Sequence, residues 1–265
     1  MIGWLDTPRA WLDSFGAIAR FASRVAGLVL SGRVLRFFGE SLRQAGILIL
    51  GSALIVWAFV FILGLQCGLI GAYFSRSIGA PANAGLFSAY CDLREGLPYA
   101  FGYILAAKVG TGIVAELGAM RISDEIDALE VMGIPPVTFL AATRLLGAWI
   151  AIPFLYLVGI GIGYLASYVA VVEQVGDVSS GGYLLIFWTF QDYVDVIFSL
   201  TKAMVMATII VTVGCYFGYT ASGGPVGVGT ATAKSMVVNI IMVNIIGMLG
   251  TLMFYGANPR TPIGG

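Results

Sequence analysis

Several kinds of residue are missing or scarce in this chain of 265 residues. There is no histidine, which excludes imidazole-based catalysis and metal sites with histidine ligands. Charged residues make up 11% of the sequence, less than half of the roughly 25% that is usual in soluble domains. The 14 basic and 14 acidic residues balance, so no basic surface is available for nucleic acid. These absences exclude most soluble enzymes and nucleic-acid-binding proteins.

Cysteine is also rare, with Cys67, Cys91 and Cys215 far apart in the sequence. Cys67 and Cys215 lie in apolar stretches, and no CxxC spacing occurs. The pattern supports neither a disulfide framework nor a zinc site. Because the apolar segments contain no cluster of carboxylates either, we expect no catalytic residue, no metal ligand and no cofactor on this chain.

What the sequence has in abundance is apolar surface: hydrophobic residues make up 59% of it, and the mean hydropathy is +0.94. A membrane-spanning helix needs about 20 mostly apolar residues. Five segments meet that requirement: residues 44–75, 96–115, 145–172, 196–219 and 235–257. The sequence therefore predicts an all-α integral membrane protein, with a five-span domain over residues 44–265.

The distribution of lysine and arginine predicts the orientation of the chain. Residues 1–43 contain six arginines, whereas residues 173–195 contain four acidic residues and no basic one. We therefore expect a multi-pass protein of the plasma (inner) membrane with a cytoplasmic N-terminus. Five spans then place residues 116–144 and 220–234 in the cytoplasm and the C-terminus outside.

Residues 1–43 carry a separate helical pattern. Apolar residues recur there at alternating intervals of four and three: Trp11, Phe15, Ile18, Ala22, Val25 and Val29. Charged residues lie on the opposite side: Arg9, Asp13, Arg20 and Arg24. This pattern predicts an amphipathic helix in an interfacial segment at the cytoplasmic membrane surface. The alternative is a helix packed on the protein's own cytoplasmic side.

A short helix is predicted in the cytoplasmic loop 116–136. Ser123 is a suitable N-cap, and acidic residues follow it in the first turn. Gly133 and two prolines end the pattern, so the helix should run from Asp124 to Met132. Its apolar residues recur every third position: Ile126, Leu129 and Met132. The helix is either a solvated loop helix or a docking helix for a cytoplasmic partner.

Glycine and aromatic residues carry weaker signals. GxxxG spacings, which allow close helix packing, occur at Gly64–Gly68, Gly159–Gly163 and Gly214–Gly218. The glycines between residues 223 and 229 predict a tight turn. Aromatic residues between 183 and 193 predict an interfacial belt or a short re-entrant helix. The segment 229–235 lacks two glycines of a phosphate-binding P-loop, so we expect ATP hydrolysis on another chain.

Residues 115–136 resemble the signature loop of the MlaE/YrbE permeases. The matching positions are Ala115, Glu116, Gly118, Met120, Arg121, Ile126, Asp127, Ala128, Leu129, Met132, Gly133 and Pro136. Glu125 replaces the usual glutamine, and Pro135 replaces the usual aspartate. Residues 93–98, 218–237 and 252–256 resemble three further elements of the family, in the same order along the chain. Among the family, these sequence elements most resemble those of actinobacterial Mce-system YrbE subunits.

The resemblance implies a function and a set of partners. In the family, two permease subunits form a homo- or heterodimer, and each docks on an ABC ATPase through a short coupling helix. MCE proteins sit on the external face, and lipids pass between the permeases. The resemblance therefore implies a non-catalytic permease subunit of an ABC transporter for lipids of the fatty acid, sterol or phospholipid class.

The same resemblance implies roles for individual residues. Those expected to couple to the ATPase are Glu116, Arg121, Asp124, Glu125, Asp127, Leu129 and Glu130. Those expected along the lipid pathway are Arg94, Glu95 and Lys202.

The sequence does not determine the interaction partners of these charged residues. Arg94 or Lys202 could bind a lipid carboxylate or phosphate, or the three charges could form a network that only holds helices together. Lys202 could instead extend to the membrane surface. Glu116 can pair with Arg121 or with a basic group of the ATPase, and Lys108 is expected in a helix-packing or interface role.

Two other functions remain as alternatives. An ion-coupled secondary transporter usually shows internal repeats and broken helices with charges at the membrane midplane, and no clear repeat occurs in this sequence. A membrane scaffold would not require the helix in the 116–136 loop.

Overall fold

The computed structural model describes residues 8–257 of the chain and, for residues 8–14, the backbone alone. Within that range every regular element is helical. Five helical stretches of the described residues are long and apolar enough to cross a membrane. The prediction of an all-α integral membrane protein with five spans is therefore confirmed.

Ten α-helices follow one another along residues 8–257. They are α1 Pro8–Leu30, α2 Phe38–Ser77, α3 Ala84–Tyr90, α4 Leu97–Leu105, α5 Thr111–Ile122, α6 Glu125–Val131, α7 Thr143–Tyr168, α8 Ser180–Thr189, α9 Tyr193–Tyr219 and α10 Gly224–Tyr255. Short 3₁₀ turns precede α2 and α3, at Arg33–Phe37 and Pro81–Asn83. Four π-helical segments adjoin these helices: Cys91–Gly96, Ala106–Gly110, Val137–Ala142 and Val169–Val175. Such segments are uncommon and often occur at functional sites.

The spans extend beyond their predicted boundaries, most clearly in the second and the fifth. The second span extends over Pro81–Ile122 rather than 96–115, because π-helical segments continue it past its charged residues. The fifth begins at Gly224 rather than Ser235. Gly223 and Gly224, with φ of 87° and 69°, reverse the chain by themselves. The predicted turn over 223–229 is thus wrong beyond Gly224, where α10 continues through Gly227 and Gly229, and proline at the second position fits the first turn of a helix.

The chain divides into two compact units. Unit 1 contains the chain up to Leu48, Ala106–Ile150 and Thr208–Asn239. Unit 2 contains Ile49–Leu105, Ala151–Ala207 and the chain from Ile240.

Helix α1 packs within unit 1 along its second half. Val25 is fully buried, and the Phe21 ring contacts the rings of Tyr216 and Tyr219 at centroid distances of 5.8 and 6.2 Å. Phe15 is 42% exposed, and the side chains of residues 8–14, Trp11 included, lie outside the described part. The amphipathic helix is therefore present, and its end nearer Val29 packs on the protein as the alternative proposed.

In unit 2, α8 begins where Ser179 accepts a hydrogen bond from the Gly182 N–H at 3.2 Å. Tyr183 and Phe187 are buried in an apolar cluster with Ala84 and Ala89, whereas Trp188 is 60% exposed. A short helix is present in this segment, and two of its three aromatic side chains, Tyr183 and Phe187, belong to the core.

A disulfide joins Cys67 in α2 to Cys91 at the start of the first π-helical segment. The prediction that the cysteines form no disulfide is wrong for this pair. The reason is the turn after α2, which folds the following helices back so that two positions 24 residues apart become neighbours. Cys215 is buried and remains free.

Close packing of α2 on α7 depends on glycine in unit 2. A methyl group added at Gly68 would lie 2.8 Å from both the Ala170 Cβ and the Ser167 carbonyl oxygen, and one at Gly64 would collide with the Gly163 carbonyl. At Gly159, by contrast, such a group would be at ordinary contact distances. In unit 1, Gly214 and Gly218 pack closely on α5 and the residue before it. The predicted close approach holds at most of these glycines.

This packing yields a first testable prediction. Gly68→Ala should lower the free energy of unfolding by about 1–3 kcal/mol, because the neighbouring groups are largely backbone and must shift. Gly161→Ala in α7 is the matched control, since the space around Gly161 is open, and it should cost nothing. Thermal unfolding of both detergent-purified variants checks this; equal melting temperatures would contradict it.

Candidate functional site

Unit 2 contains a cavity of about 620 Å³ with mostly apolar walls. This volume lies within the roughly 300–1,000 Å³ of ligand-binding pockets. Its aromatic and aliphatic lining comes from α2 and the residue that follows it, from α3 and from α10: Phe74, Ile78, Leu86, Phe87, Tyr90 and Tyr255. Its polar lining includes Arg94, Glu95 and Thr251. An apolar chamber with a few charged and hydroxyl groups suits an amphipathic ligand.

Arg94 is held in an ion pair beside this cavity. Its Nε and Nη2 donate to Oδ2 of Asp195, at 3.0 and 2.8 Å. The guanidinium carbon also lies 4.0 Å from the ring centre of Tyr90 and 4.5 Å from that of Tyr255. The Arg94 side chain is 11% exposed and that of Asp195 is 2% exposed. Arg94 is thus fixed by a buried carboxylate and two aromatic faces.

Lys202 is buried, with only 1% of its side chain exposed. Its ammonium group donates to the Arg94 carbonyl at 2.8 Å, to Thr251 Oγ1 at 2.7 Å and to Glu95 Oε1 at 3.3 Å. These contacts use all three ammonium N–H donors. Lys202 therefore does not extend to the membrane surface, and it forms with Glu95 the kind of network that the sequence analysis gave as an alternative.

Sequence reasoning missed Asp195 as the partner of Arg94, and it missed Thr251. The signal for Asp195 was its spacing on α9: Asp195, Ser199 and Lys202 are four and three residues apart and so share one helix face. Ser199 lies on that face and donates to the Leu93 carbonyl at 2.6 Å. One polar stripe of α9 thus contacts the segment that carries Arg94 and Glu95.

Asp92 is a further buried residue that sequence reasoning missed. Its Oδ2 is hydrogen-bonded to the Ser167 hydroxyl, which also contacts the Gly64 carbonyl oxygen at 2.8 Å. Asp92 and Ser167 are both fully buried. The contact ties the π-helical segment at the cavity wall to α2 and α7.

The predicted coupling residues lie in unit 1, on α5 and α6. Helix α6 spans Glu125–Val131, and Asp124 rather than Ser123 is its N-cap residue. The Ser123 hydroxyl instead donates to the Ala119 carbonyl of α5 at 3.0 Å. Asp124 has φ of 59°, the one positive φ of a non-glycine residue in the described chain. The predicted helix exists, but its start differs because α5 continues to Ile122 and the chain turns sharply there.

Helix α6 is anchored by one apolar residue and presents others outward. Ile126 is 1% exposed, whereas Val131 is 90% and Met132 is 65% exposed. Leu129 is half-buried, and Asp127 and Glu130 are exposed. The predicted single apolar edge is thus divided between an inward anchor and an exposed end beside acidic residues.

Ion pairs fix the remaining coupling residues. Arg121 Nη1 lies 2.6 Å from Asp127 Oδ1, which joins α5 to α6. Glu116 pairs with Arg144 Nη2 at 2.6 Å rather than with Arg121. Arg144 is 5% exposed and Glu116 is 56% exposed. Glu125 Oε1 lies 2.9 Å from the same Ser123 hydroxyl oxygen.

Lys108 is exposed within the π-helical segment Ala106–Gly110, and no ion pair of the described residues includes it. Among the described residues, no group of histidine, cysteine or acidic side chains could hold a metal ion.

Comparison with known proteins agrees with these features. The model of the family "Permease MlaE" matches residues 41–253. A "Probable ABC transporter permease protein" of Rickettsia prowazekii is 35% identical over 162 residues, which cover 61% of this chain and 62% of that relative. The chain thus aligns with about three fifths of the length of this relative.

Two more distant relatives align over almost their whole length. A "Probable ABC transporter permease protein" of Synechocystis is 26% identical over 93% of both chains. The "Intermembrane phospholipid transport system permease protein MlaE" of Haemophilus influenzae is 24% identical over 93% of this chain and 95% of its own length. Because the family model matches most of a chain with five apolar spanning helices, the protein is a multi-pass membrane protein that belongs to the MlaE permease family.

Proposed function

We propose that this chain is the membrane permease subunit of an ABC transporter that moves lipids across the cell envelope. The observation that carries the proposal is the apolar cavity of about 620 Å³ with charged and hydroxyl groups in its lining. A lipid has the matching division between an apolar chain and a polar end. The phospholipid transport named for the Haemophilus relative supports the same class of substrate.

The energy for transport would come from a separate ABC ATPase, and this chain would carry no catalytic residue of its own. Helix α6 is the proposed docking element for the ATPase, because it presents exposed apolar and acidic side chains on a buried anchor. The coupling residues would include Glu116, Arg121 and Asp127.

The proposal places residues 116–136 in the cytoplasm and residues 173–195 outside. Two features support this orientation: the arginines of the first 43 residues, and the Cys67–Cys91 disulfide of unit 2, since disulfides persist in oxidising compartments. MCE proteins would bind on the external side. A second permease subunit, identical or different, would complete the membrane part, and the exposed Lys108 is a candidate for that interface.

Affinity purification of the full chain from its native host in mild detergent, followed by mass spectrometry, tests the proposal. We expect a P-loop ATPase, MCE proteins and either one or two kinds of permease in the sample. Reproducible recovery of the chain alone in several detergents would overturn the proposal and favour a self-sufficient transporter or scaffold.

A further inference from the structure

The charges beside the unit 2 cavity cancel in pairs. Arg94 is matched by Asp195, and Lys202 is matched by Glu95. Both cations are buried: 11% of the Arg94 side chain and 1% of the Lys202 side chain are exposed. A buried cation already paired with a carboxylate offers little net attraction to a second anion.

The charged group most accessible at this cavity is a carboxylate. The Glu95 side chain is 42% exposed and lines the cavity. Within the described chain, the hydrogen bonds to Glu95 from Lys202 and Thr251 both fall on Oε1, at 3.3 and 2.6 Å. A carboxylate can accept about four hydrogen bonds on its two oxygens, so Oε2 is available to a donor on a ligand.

We propose that the cavity selects lipids whose polar end is uncharged and carries a hydroxyl donor, and that Glu95 accepts the hydrogen bond from this hydroxyl. The inference rests on the proposed lipid-transport function and narrows its substrate class. A lipid carboxylate or phosphate would meet the exposed oxygen of Glu95, whereas Arg94 and Lys202 are held by their own partners.

Two probes with the same acyl chain test this selectivity: 1-hexadecanoylglycerol, which is neutral, and hexadecanoate, which is anionic. Binding of each to the detergent-purified permease, with its co-purifying partners, is measured at pH 8. We expect the neutral probe to bind at least tenfold more tightly. Equal binding, or tighter binding of hexadecanoate, would overturn the inference.

Glu95→Gln sharpens the test because it leaves the Lys202 charge without its carboxylate partner. The ratio of the two affinities should shift at least tenfold toward hexadecanoate, while 1-hexadecanoylglycerol still binds and so reports an intact cavity. Glu173→Gln is the matched control, since Glu173 is exposed and does not line the cavity; its ratio should equal that of the unmodified protein. An unchanged ratio in Glu95→Gln would overturn the role of Glu95.

The outcomes separate this inference from the proposed function. If the ATPase co-purifies and both probes bind equally, only the selectivity is wrong. If neither probe binds, the cavity is not the lipid-binding site, and the proposed selectivity of the cavity is wrong as well. If no ATPase co-purifies but the neutral probe is preferred, the selectivity stands and the ABC mechanism is wrong.

Discussion

Asp195→Ala is expected to lower the free energy of unfolding by about 3–5 kcal/mol, the usual cost of removing one partner of a buried ion pair. Asp195 accepts two hydrogen bonds from Arg94 on a single oxygen, and its side chain is 2% exposed. Without it the guanidinium remains buried with its charge uncompensated. Thermal or denaturant unfolding of the detergent-purified full chain measures the loss.

Two further variants identify the cause of that loss. The double variant Arg94→Met with Asp195→Ala should recover most of the stability, because removing both charges leaves no unpaired ion. Asp177→Ala is the control for an exposed pair in the same unit: Arg76 and Asp177 are 3.4 Å apart with side chains 65% and 31% exposed. It should cost about 1 kcal/mol or less. Equal losses for Asp195→Ala and Asp177→Ala would contradict a buried ion-pair role.

The second large effect concerns coupling to the ATPase. Val131→Asp should lower permease-dependent ATPase activity at least tenfold without affecting folding, because Val131 is 90% exposed and contributes little to the core. Its apolar side chain would lie in the proposed contact with the ATPase, where a new carboxylate is costly to desolvate. ATPase activity of the purified complex is the measurement, and the amount of co-purified ATPase reports docking.

Controls for this variant come from the same chain. Leu185→Asp in α8, where Leu185 is 71% exposed, should leave ATPase activity unchanged because the segment 173–195, which contains α8, is proposed to lie outside. Replacing residues 124–132 by a flexible linker should uncouple the ATPase without preventing membrane insertion, although it also removes the buried Ile126. Full ATPase activity in Val131→Asp would exclude α6 as the docking element.

Prediction from the sequence was most successful where the signal was local. The apolar runs were enough to count five spans, because each spanning helix must satisfy its own backbone hydrogen bonds within the segment. The end of α6 was predicted for a similar reason, since Gly133 and the prolines after it interrupt a helix wherever it packs. The predicted start was wrong because the Ser123 hydroxyl bonds to the Ala119 carbonyl of α5 instead of capping α6. Which of the two contacts forms depends on how far α5 continues.

The candidate site was predicted only in part. Arg94, Glu95 and Lys202 were named as a possible network, and the structure brings them together through hydrogen bonds between segments about 100 residues apart. Asp195 was placed outside the predicted fourth span, although it lies in the first turn of α9 and is paired with Arg94. The predicted start of the fourth span was two or three residues too late, and this error made the buried Asp195 carboxylate look solvated.

The sequence by itself determined the class of the protein, the number of its spans and the presence of a short acidic helix between the second and third. These features follow from composition, helical period and breaker residues, all of which act over a few turns of chain. Only the tertiary structure decided which charges are paired, that Cys67 and Cys91 are joined, and that Glu116 meets Arg144. Such pairs depend on which helix faces are packed together, and spacing along one segment carries no information about the face that another segment presents.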